Sequence, residues 1–209
     1  MNDFASANLT AGQLNAVVKM LGGEEGTLRF LRGETVVKTI SPTKSTEFKI
    51  WKTIKLRAGM DATAYCKAIK GKKVGDSEMR IGNYANDILE KPKFTVVTEE
   101  TELDLIVLSV KELTGKTRAS LKEIFSCAKT NGLHLCPNQA GPELRLQYED
   151  QPKGEWLVIG MEPISGSVGG LRLFGVAYDG RVLWLYTDFG SPDLVWDDND
   201  RFVFVLPRK

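Results

Sequence analysis

The chain has 209 residues, of which 42% are apolar and 26% are charged, so its composition is that of a folded protein with about one or two domains. This composition excludes intrinsic disorder, collagen-like repeats and small disulfide scaffolds. The formal net charge of +1 at pH 7 lacks the strongly basic signature of a dedicated nucleic-acid-binding protein. An average of this kind can nevertheless conceal two halves of opposite charge.

The start of the chain and its cysteines indicate a cytoplasmic protein. The first ten residues lack the basic start and the continuous apolar run of a secretory signal. The longest strongly apolar stretches, such as Leu103 to Val110, are far shorter than the roughly 20 residues that cross a bilayer, so we expect no membrane segment. Cys66, Cys127 and Cys136 are odd in number and irregularly spaced, so we expect free thiols.

A short helical hairpin is predicted at the N-terminal end. Residues 10–21 repeat apolar side chains with helical spacing and begin with a capping-box pattern of Thr10 and Gln13. A second helix follows Gly22-Gly23 and ends near Gly33. The hairpin has too few apolar residues to fold alone, and a polar stretch with a proline follows it at residues 41–46. We therefore predict a helical appendage over residues 1–40 and a main domain over residues 47–209.

Helices and strands alternate in the middle of the chain. Helical spacing of apolar residues predicts helices over 61–70, 77–90 and 117–130. Period-2 alternation predicts a strand with one wet face over residues 48–56. Residues 94–98 and 103–110 are apolar on both faces and β-branched, which is typical of strands in the interior of a sheet.

After Pro142 the pattern changes to short strands separated by turn residues. The predicted strands are 143–148, 155–161, 171–178, 182–187 and 201–206. Asp179-Gly180 is a signal for a type I′ hairpin, and the run from Ser165 to Gly170 suits a hairpin loop better than a phosphate-binding loop because it lacks the P-loop lysine and a following helix. The predicted fold class is α+β: an N-terminal helical hairpin, a mixed α/β middle and an antiparallel β-rich C-terminal half.

Charge is distributed unevenly along the chain. Residues 1–93 contain 16 basic against 10 acidic residues, a net charge of +6, whereas residues 94–209 contain 12 against 17, a net charge of −5. Residues 44–73, which we call the basic segment, hold nine basic and only two acidic residues. This segment is the strongest local anomaly in the sequence.

The basic segment has two interpretations. As a binding surface it would meet the phosphates of a nucleic acid or an acidic protein surface, with a tryptophan nearby for stacking. As a solvated face it is offset by the acidic half and aids solubility, which is the commoner role of a charge run. The residues of the first interpretation are Lys49, Trp51, Lys52, Lys55, Arg57, Lys70, Lys72 and Lys73. Because no catalytic signature is present, we expect a non-catalytic binding or interaction protein that uses this surface.

The alternative function is an enzyme with a pocket in the β-rich half, its substrate unknown. Arg145 and Gln147 alternate with apolar residues, so they predict a polar row on one face of the strand over 143–148. Glu155 and Trp156 follow on the neighbouring predicted strand and complete the candidate pocket. Such an enzyme would use Arg145 and Glu155 together with His134 or the C-terminal aspartates. Further aromatic residues of this half, expected mainly in the core, are Trp184, Tyr186 and Trp196.

Two other groups of side chains favour structural roles. His134, the only histidine, and Cys136 lie two residues apart on an extended segment, a spacing that fits no standard zinc site and does not force a nucleophile–base contact. A cluster of aspartates near the C-terminal end fits no EF-hand loop and is typical of turns. Its members are Asp188, Asp193, Asp197, Asp198 and Asp200. We predict no metal and no cofactor.

Several stretches of the chain have a distinctive sequence: LRLQYEDQPKGEW (144–156), MEPI (161–164), RFVFVLPRK (201–209), WKTIKL (51–56) and NYANDIL (83–89). With these stretches the chain resembles an uncharacterised family of bacterial hypothetical proteins. The resemblance extends over about residues 48–209, with the front hairpin as an added piece. It implies a bacterial cytoplasmic origin and a domain boundary near Ser41, and it transfers no activity, ligand or site residue.

Overall fold

The structure, a computed structural model, describes residues 10–34 and 48–208. It divides the chain into two compact units, Met1–Lys44 and Ser45–Lys209. The predicted linker over 41–46 lies outside the described residues, so the predicted domain boundaries stay a prediction. We call the two parts the N-terminal unit and the main unit.

The described part of the N-terminal unit is a pair of helices, as predicted. They are α1 (Ala11–Met20) and α2 (Gly23–Leu31). Thr10 and Gln13 form the expected capping box at the start of α1, in which each side chain accepts a hydrogen bond from the backbone of the other residue. The left-handed backbone of Gly22, with φ of 92°, makes the sharp change of direction between the helices.

The main unit contains five helices and eleven strands among the residues that the structure describes. The helices are α3 (Ala62–Ile69), α4 (Asn83–Leu89), α5 (Val110–Thr114), α6 (Leu121–Thr130) and α7 (Ala140–Gln147). The strands are β1 (Lys52–Leu56), β2 (Lys73–Val74), β3 (Ser77–Ile81), β4 (Thr101–Ser109), β5 (Arg118–Ser120), β6 (Trp156–Ile159), β7 (Ile164–Ser165), β8 (Leu171–Tyr178), β9 (Val182–Phe189), β10 (Val195–Asp197) and β11 (Arg201–Val205). The predicted α+β class is confirmed.

Nine of the strands form one sheet with the order β1-β4-β11-β6-β8-β9-β3-β2, and β7 pairs with β8 outside this path. Neighbours are antiparallel except for β11 with β6 and β3 with β9. Strands β10 and β5 form a separate two-stranded sheet. The last strand in the described chain, β11, therefore lies near the centre of the large sheet.

Helices cover the large sheet unequally. On one face α7 packs so closely that a β-carbon added to Gly141 would lie 2.6 Å from Cβ of Phe174 on β8. On the other face, α6 brings Phe125 against Phe204 of β11. Further along that second face the side chains reach solvent, and Trp156 on β6 is 54% exposed. This partly uncovered face carries the candidate site described below.

The predicted strand over 143–148 is wrong, because residues 143–147 belong to α7 and Tyr148 is its C-cap. Leu144 and Leu146 alternate with polar residues, which suggested a half-buried strand. However, Glu143 and Arg145 are also buried, so the alternation does not mark a wet face. Pro142 stands in the first helical turn, where a missing backbone N–H breaks no intrahelical hydrogen bond.

The predicted helix over 77–90 is only half correct. Its first part is strand β3, in which Ser77 and Met79 are buried while Glu78 and Arg80 are not, a period-2 pattern. Gly82 then separates this strand from α4.

The predicted strand over 94–98 is absent from the structure. The backbone N–H groups of Thr95 and Val97 donate to the side chains of Asn138 and Gln139, at 3.1 and 2.7 Å. These side chains accept the hydrogen bonds that a neighbouring strand would otherwise accept. No sequence pattern within residues 94–98 indicates such partners.

Two predicted hairpins are confirmed. Residues 166–170 form the loop between the antiparallel strands β7, which ends at Ser165, and β8. Strands β8 and β9 are antiparallel on either side of Asp179-Gly180. The second turn is not type I′, because only Gly180 has a positive φ there. Instead, the carboxylate of Asp179 accepts hydrogen bonds from the backbone N–H groups of Arg181 and Val182, each at 2.8 Å.

Candidate functional site

Most cations of the basic segment that the structure describes are paired with carboxylates of the same chain. The pairs are Lys52–Asp150, Lys55–Glu100, Arg57–Glu143, Lys72–Glu149 and Lys73–Glu78. Four of the five carboxylates belong to the acidic half of the chain. The opposite charges of the two halves therefore compensate each other in part within the molecule. Lys44 lies outside the described residues.

The other residues predicted for the basic surface have different surroundings. Lys49 is exposed just before β1, and the ammonium of Lys70 donates to the side-chain oxygen of Asn86 at 2.8 Å. Trp51, predicted as a stacking surface, contacts Tyr148 edge to face, with 5.0 Å between ring centroids. Lys52 also lies over the Tyr148 ring, 4.7 Å from its centroid. Two residues of this surface thus pack against the aromatic side chain that follows α7.

Arg57 and Glu143 form the best-connected ion pair of the basic segment. The carboxylate of Glu143 is fully buried and accepts hydrogen bonds from the Nε and Nη2 groups of Arg57 at 2.9 to 3.1 Å. It also accepts from the hydroxyl of Tyr65 at 2.8 Å and from the amide of Gln147 at 2.9 Å. Hydrogen bonding to Glu143 raises the pKa of Arg57. This pair fastens β1 and the turn after it to α7.

The structure separates the four residues predicted for the pocket. Arg145 is buried in α7, where its guanidinium donates to the side chain of Gln151 and to the carbonyl of Tyr148, and burial lowers its pKa to about 10. Gln147 instead hydrogen-bonds the backbone of Lys55 in β1. The polar row expected on a strand does not exist, because α7 turns these side chains in different directions. Glu155 and Trp156 face a cleft on the other side of the sheet.

We call this feature the aromatic cleft. It has a volume of about 700 Å³ and is formed by the ends of β6, β9, β10 and β11 together with the turn before β6. Its aromatic and charged lining residues are Lys153, Glu155, Trp156, Tyr186, Asp188, Trp196, Asp200 and Arg201. Cavities of roughly 300–1,000 Å³ are the usual size for small-molecule sites.

A glycine positions the aromatic wall of the cleft. Val158, Gly175 and Tyr186 stand side by side on β6, β8 and β9. Because Gly175 has no side chain, the ring of Tyr186 lies across β8 and meets Trp156 edge to face, with centroids 5.0 Å apart. The ring of Trp156 is 54% exposed at the mouth of the cleft, so a ligand can reach it.

Glu155 is held in place by two donors. Its carboxylate accepts hydrogen bonds from the hydroxyl of Tyr148 and from Nη1 of Arg201, both at 2.7 Å. Burial and the nearby carboxylate raise the pKa of Tyr148, which keeps the phenol protonated as a donor. The parallel pairing of β11 with β6 brings Arg201 to the same end of the sheet as Glu155.

Two further carboxylates face the cleft with unused hydrogen-bonding capacity. Oδ1 of Asp188 accepts from the backbone N–H of Phe189 at 2.7 Å, and Oδ2 of Asp200 accepts from the backbone N–H of Asp197 at 2.8 Å. The remaining oxygen of each carboxylate accepts no hydrogen bond from the described residues. Burial and the neighbouring carboxylates of Asp197, Asp188 and Asp198 raise the pKa of Asp200.

Trp196 lines the inner end of the same cleft. The residue is 6% exposed and its ring packs edge to face on Phe202, with 4.9 Å between centroids. Its indole N–H is buried and has no acceptor in the part of the chain that the structure describes. An unpaired buried donor is unfavourable, typically by about 1–3 kcal/mol.

The groups considered for metals and catalysis lie apart from one another. His134 is exposed and lines a different cavity beside α6, and Cys136 is buried, which raises the pKa of its thiol well above the ordinary range. Neither residue borders the aromatic cleft. Within residues 10–34 and 48–208, no group of three or more metal-binding side chains comes together.

The sequence predicted Glu155 and Trp156 as pocket residues and offered the C-terminal aspartates as possible partners of Glu155, and the structure places Glu155, Trp156, Asp188 and Asp200 in the cleft. The sequence did not join them to the other lining residues. Tyr186 and Trp196 were expected in the core, Asp188 and Asp200 in turns, and Arg201 carried no signal at all. These residues meet through the β6–β8–β9 register and the parallel β6–β11 pair, which are contacts between distant segments.

Comparisons of the chain with family models, with curated proteins and with solved structures give no match. The resemblance described above likewise transfers no activity, and the bacterial origin that it implies stays a prediction. No helix among the described residues has the length and apolar character needed to cross a bilayer. The predicted cytoplasmic location is untested by this finding.

Proposed function

We propose that this protein is a binding protein and that its ligand is a saccharide held in the aromatic cleft. The observation that carries the proposal is the half-exposed ring of Trp156, supported edge to face by Tyr186, in the same cleft as the free carboxylate oxygens of Asp188 and Asp200. The ring offers an apolar surface, and the carboxylates can accept hydrogen bonds from the same ligand.

The hydrogen-bonding inventory distinguishes the classes of ligand. An ammonium group only donates and an ionised carboxylate only accepts, and the cleft lining holds both kinds of group, Lys153 on the one hand and Asp188 and Asp200 on the other. A simple cation offers no acceptor to Lys153, and a simple anion offers no donor to Asp188 and Asp200. A hydroxyl group both donates and accepts, so a molecule with several hydroxyl groups can satisfy both kinds of group.

The shape and charge of the cleft agree with this class. The exposed ring of Trp156, supported by Tyr186, offers an apolar surface for the C–H face of a sugar ring. Glu155 is paired with Arg201, and the lining as a whole holds two basic and three acidic residues, so it has no large excess of charge. A neutral polar ligand with one apolar face fits these conditions.

A glycan array followed by calorimetric titration tests the proposal. We expect soluble oligosaccharides of at least one class to bind the full chain and to change its tryptophan fluorescence. Trp156→Ala should abolish binding, because it removes the exposed ring. Phe189→Ala is the matched control, since Phe189 is equally exposed at 54% and lies on β9 outside the cleft lining.

Two outcomes would overturn the proposal. One is the absence of binding to every glycan on the array and to oligosaccharides at millimolar concentration. The other is binding that Trp156→Ala and Phe189→Ala weaken equally, which would place the ligand elsewhere. Thermal unfolding of both variants verifies that each one is folded.

A hydrolase that acts on the same ligand is the second candidate, because two carboxylates in one cleft have different environments. Glu155 receives two strong hydrogen bonds, whereas burial and repulsion raise the pKa of Asp200, as a general acid requires. Release of reducing ends from a bound oligosaccharide, lost in Asp200→Asn while binding persists, would support hydrolysis. Binding of an oligosaccharide without release of reducing ends would exclude the hydrolase and leave saccharide binding as the function.

The basic segment supports the binding function less well than the cleft does. Five of its cations are paired with carboxylates of the main unit, so the surface as a whole presents much less net positive charge to an extended polyanion than the sequence count suggests. The proposed partner is therefore a small molecule.

A further inference from the structure

A second cavity, separate from the aromatic cleft, gathers three cations of the basic segment. Its volume is about 400 Å³, and its lining comprises Lys55, Arg57, Lys72, Gln147 and the apolar side chains of Ala68 and Leu146. No carboxylate belongs to this lining. A concave surface lined by one sign of charge concentrates the electrostatic potential and attracts counter-ions.

The polar framework behind the cavity fixes the guanidinium of Arg57 and the backbone of Lys55. The Gln147 side chain accepts from the backbone N–H of Lys55 at 2.9 Å and donates to its carbonyl at 2.8 Å. Glu143, which is fully buried, holds Arg57 through Nε and Nη2. The Nη1 group of Arg57 donates to no acceptor among the described residues. A site whose groups are already in place loses less entropy when it binds a ligand.

The carboxylates that compete for the two lysines lie at the rim. Glu100 is 58% exposed and 3.6 Å from the ammonium of Lys55, which is too far for a good hydrogen bond. Glu149 is 51% exposed and contacts Lys72 at 2.7 Å. Exposed ion pairs of this kind contribute little to stability, so an anion inside the cavity can replace them.

We propose that this cavity binds the phosphate group of a small phosphorylated molecule. A phosphate dianion presents several acceptor oxygens to Nη1 of Arg57 and to the ammonium groups of Lys55 and Lys72, and charge-assisted hydrogen bonds of this type are strong. The Lys72 ammonium, which donates to Glu149 and to the carbonyl of Leu146, keeps one N–H for the ligand. The apolar walls formed by Ala68 and Leu146 leave room for the carbon skeleton of the ligand.

Calorimetric titration of the full chain with inorganic phosphate, glucose 6-phosphate and glucose tests this proposal. We expect inorganic phosphate and glucose 6-phosphate to bind in this cavity with an affinity that falls as salt is added. Glucose, which has no phosphate group, should not bind there. Lys55→Gln combined with Lys72→Gln should weaken phosphate binding by roughly tenfold or more, since two charge-assisted contacts are lost. Both side chains reach solvent, so the fold should persist, which thermal unfolding checks.

Lys67→Gln is the matched control, because Lys67 is an exposed lysine of α3 in the same segment and does not line the cavity. Three results would refute the site: no phosphate binding at low salt, an equal loss in the Lys67→Gln variant, or a single-stranded oligonucleotide that binds far more tightly than glucose 6-phosphate. The last result would indicate a polyanion-binding face instead. None of these three results would contradict saccharide binding in the aromatic cleft.

Discussion

The ring of Tyr186 occupies the space that a side chain on Gly175 would need. A β-carbon built on Gly175 would lie 2.4 Å from Cζ of Tyr186, well inside van der Waals contact. This neighbour relationship between β8 and β9 places the tyrosine beside Trp156 and so shapes the wall of the aromatic cleft.

Gly175→Ala should therefore damage both stability and binding. The added methyl group forces the Tyr186 ring away from Trp156, and overpacking of this kind destabilises by about 1–3 kcal/mol. Urea unfolding measures the loss, and oligosaccharide titration measures the effect on the cleft. Gly82→Ala is the control, because its added β-carbon meets only ordinary contacts at 3.6 and 3.8 Å. Equal stability of the two variants would contradict the role given to Gly175.

Glu143→Gln should destabilise the main unit by about 2–4 kcal/mol. The neutral amide leaves Arg57 without its partner and turns an NH₂ group toward donors such as the hydroxyl of Tyr65. Glu149→Gln should change stability by less than about 1 kcal/mol, because Glu149 is half exposed. Chemical denaturation measures the free energy of unfolding of both variants. Similar losses in the two would show that the buried hydrogen bonds of Glu143 stabilise the protein no more than an exposed ion pair does.

Asp104 should make stability depend on pH in acid. Hydrogen bonds from Arg208 and then from Thr53 lower its pKa from the ordinary 3.8 to about 2. Between these two pKa values the carboxylate of Asp104 binds a proton more readily in the unfolded chain than in the folded chain. Its contribution to the free energy of unfolding is therefore complete above about pH 4 and is lost as the pH falls toward 2.

The Asp104→Asn variant isolates that contribution. Near neutral pH it should be less stable than the parent protein, by roughly 1 kcal/mol, and the difference should shrink as the pH approaches 2. Other carboxylates with lowered pKa values, Asp87 and Glu123, affect both proteins equally and cancel. Urea unfolding at several pH values measures the difference, and a gap that stays constant would argue against the carboxylate as its source.

Gel-shift titration addresses the basic segment directly. We expect no retardation of single-stranded DNA or duplex RNA at physiological salt, because the segment's cations are largely paired within the chain. Retardation that weakens with salt and disappears when Lys49 and Lys70 are changed to glutamine would restore the nucleic-acid hypothesis.

Local patterns predicted the elements that depend on local contacts. Helix α1 was recognisable from the capping box of Thr10, and the β8–β9 hairpin from Asp179-Gly180, because those signals lie within a few residues. The alternation of apolar and polar residues around Arg145 led to a wrong strand prediction, because a helix that is buried on all sides can carry the same pattern as a half-exposed strand.

The candidate site was predictable only in fragments for the same reason. Glu155 and Trp156 are adjacent in the sequence and were recognised together. Arg201 reaches Glu155 only because β11 pairs with β6, and no local pattern specifies a parallel pairing between strands more than 40 residues apart. The unpaired N–H of Trp196 likewise becomes visible only when its neighbours are known.

The central position of β11 also determines how the main unit can fold. Residues 201–205 must pair with β4, about a hundred residues earlier, and with β6 before the two parts of the sheet become continuous. Closing such long loops costs conformational entropy before the stabilising contacts between the strands can form. We therefore expect slow folding, with sheet edges exposed until β11 has paired. Because Arg201 belongs to the same strand, the cleft becomes complete only at that late step.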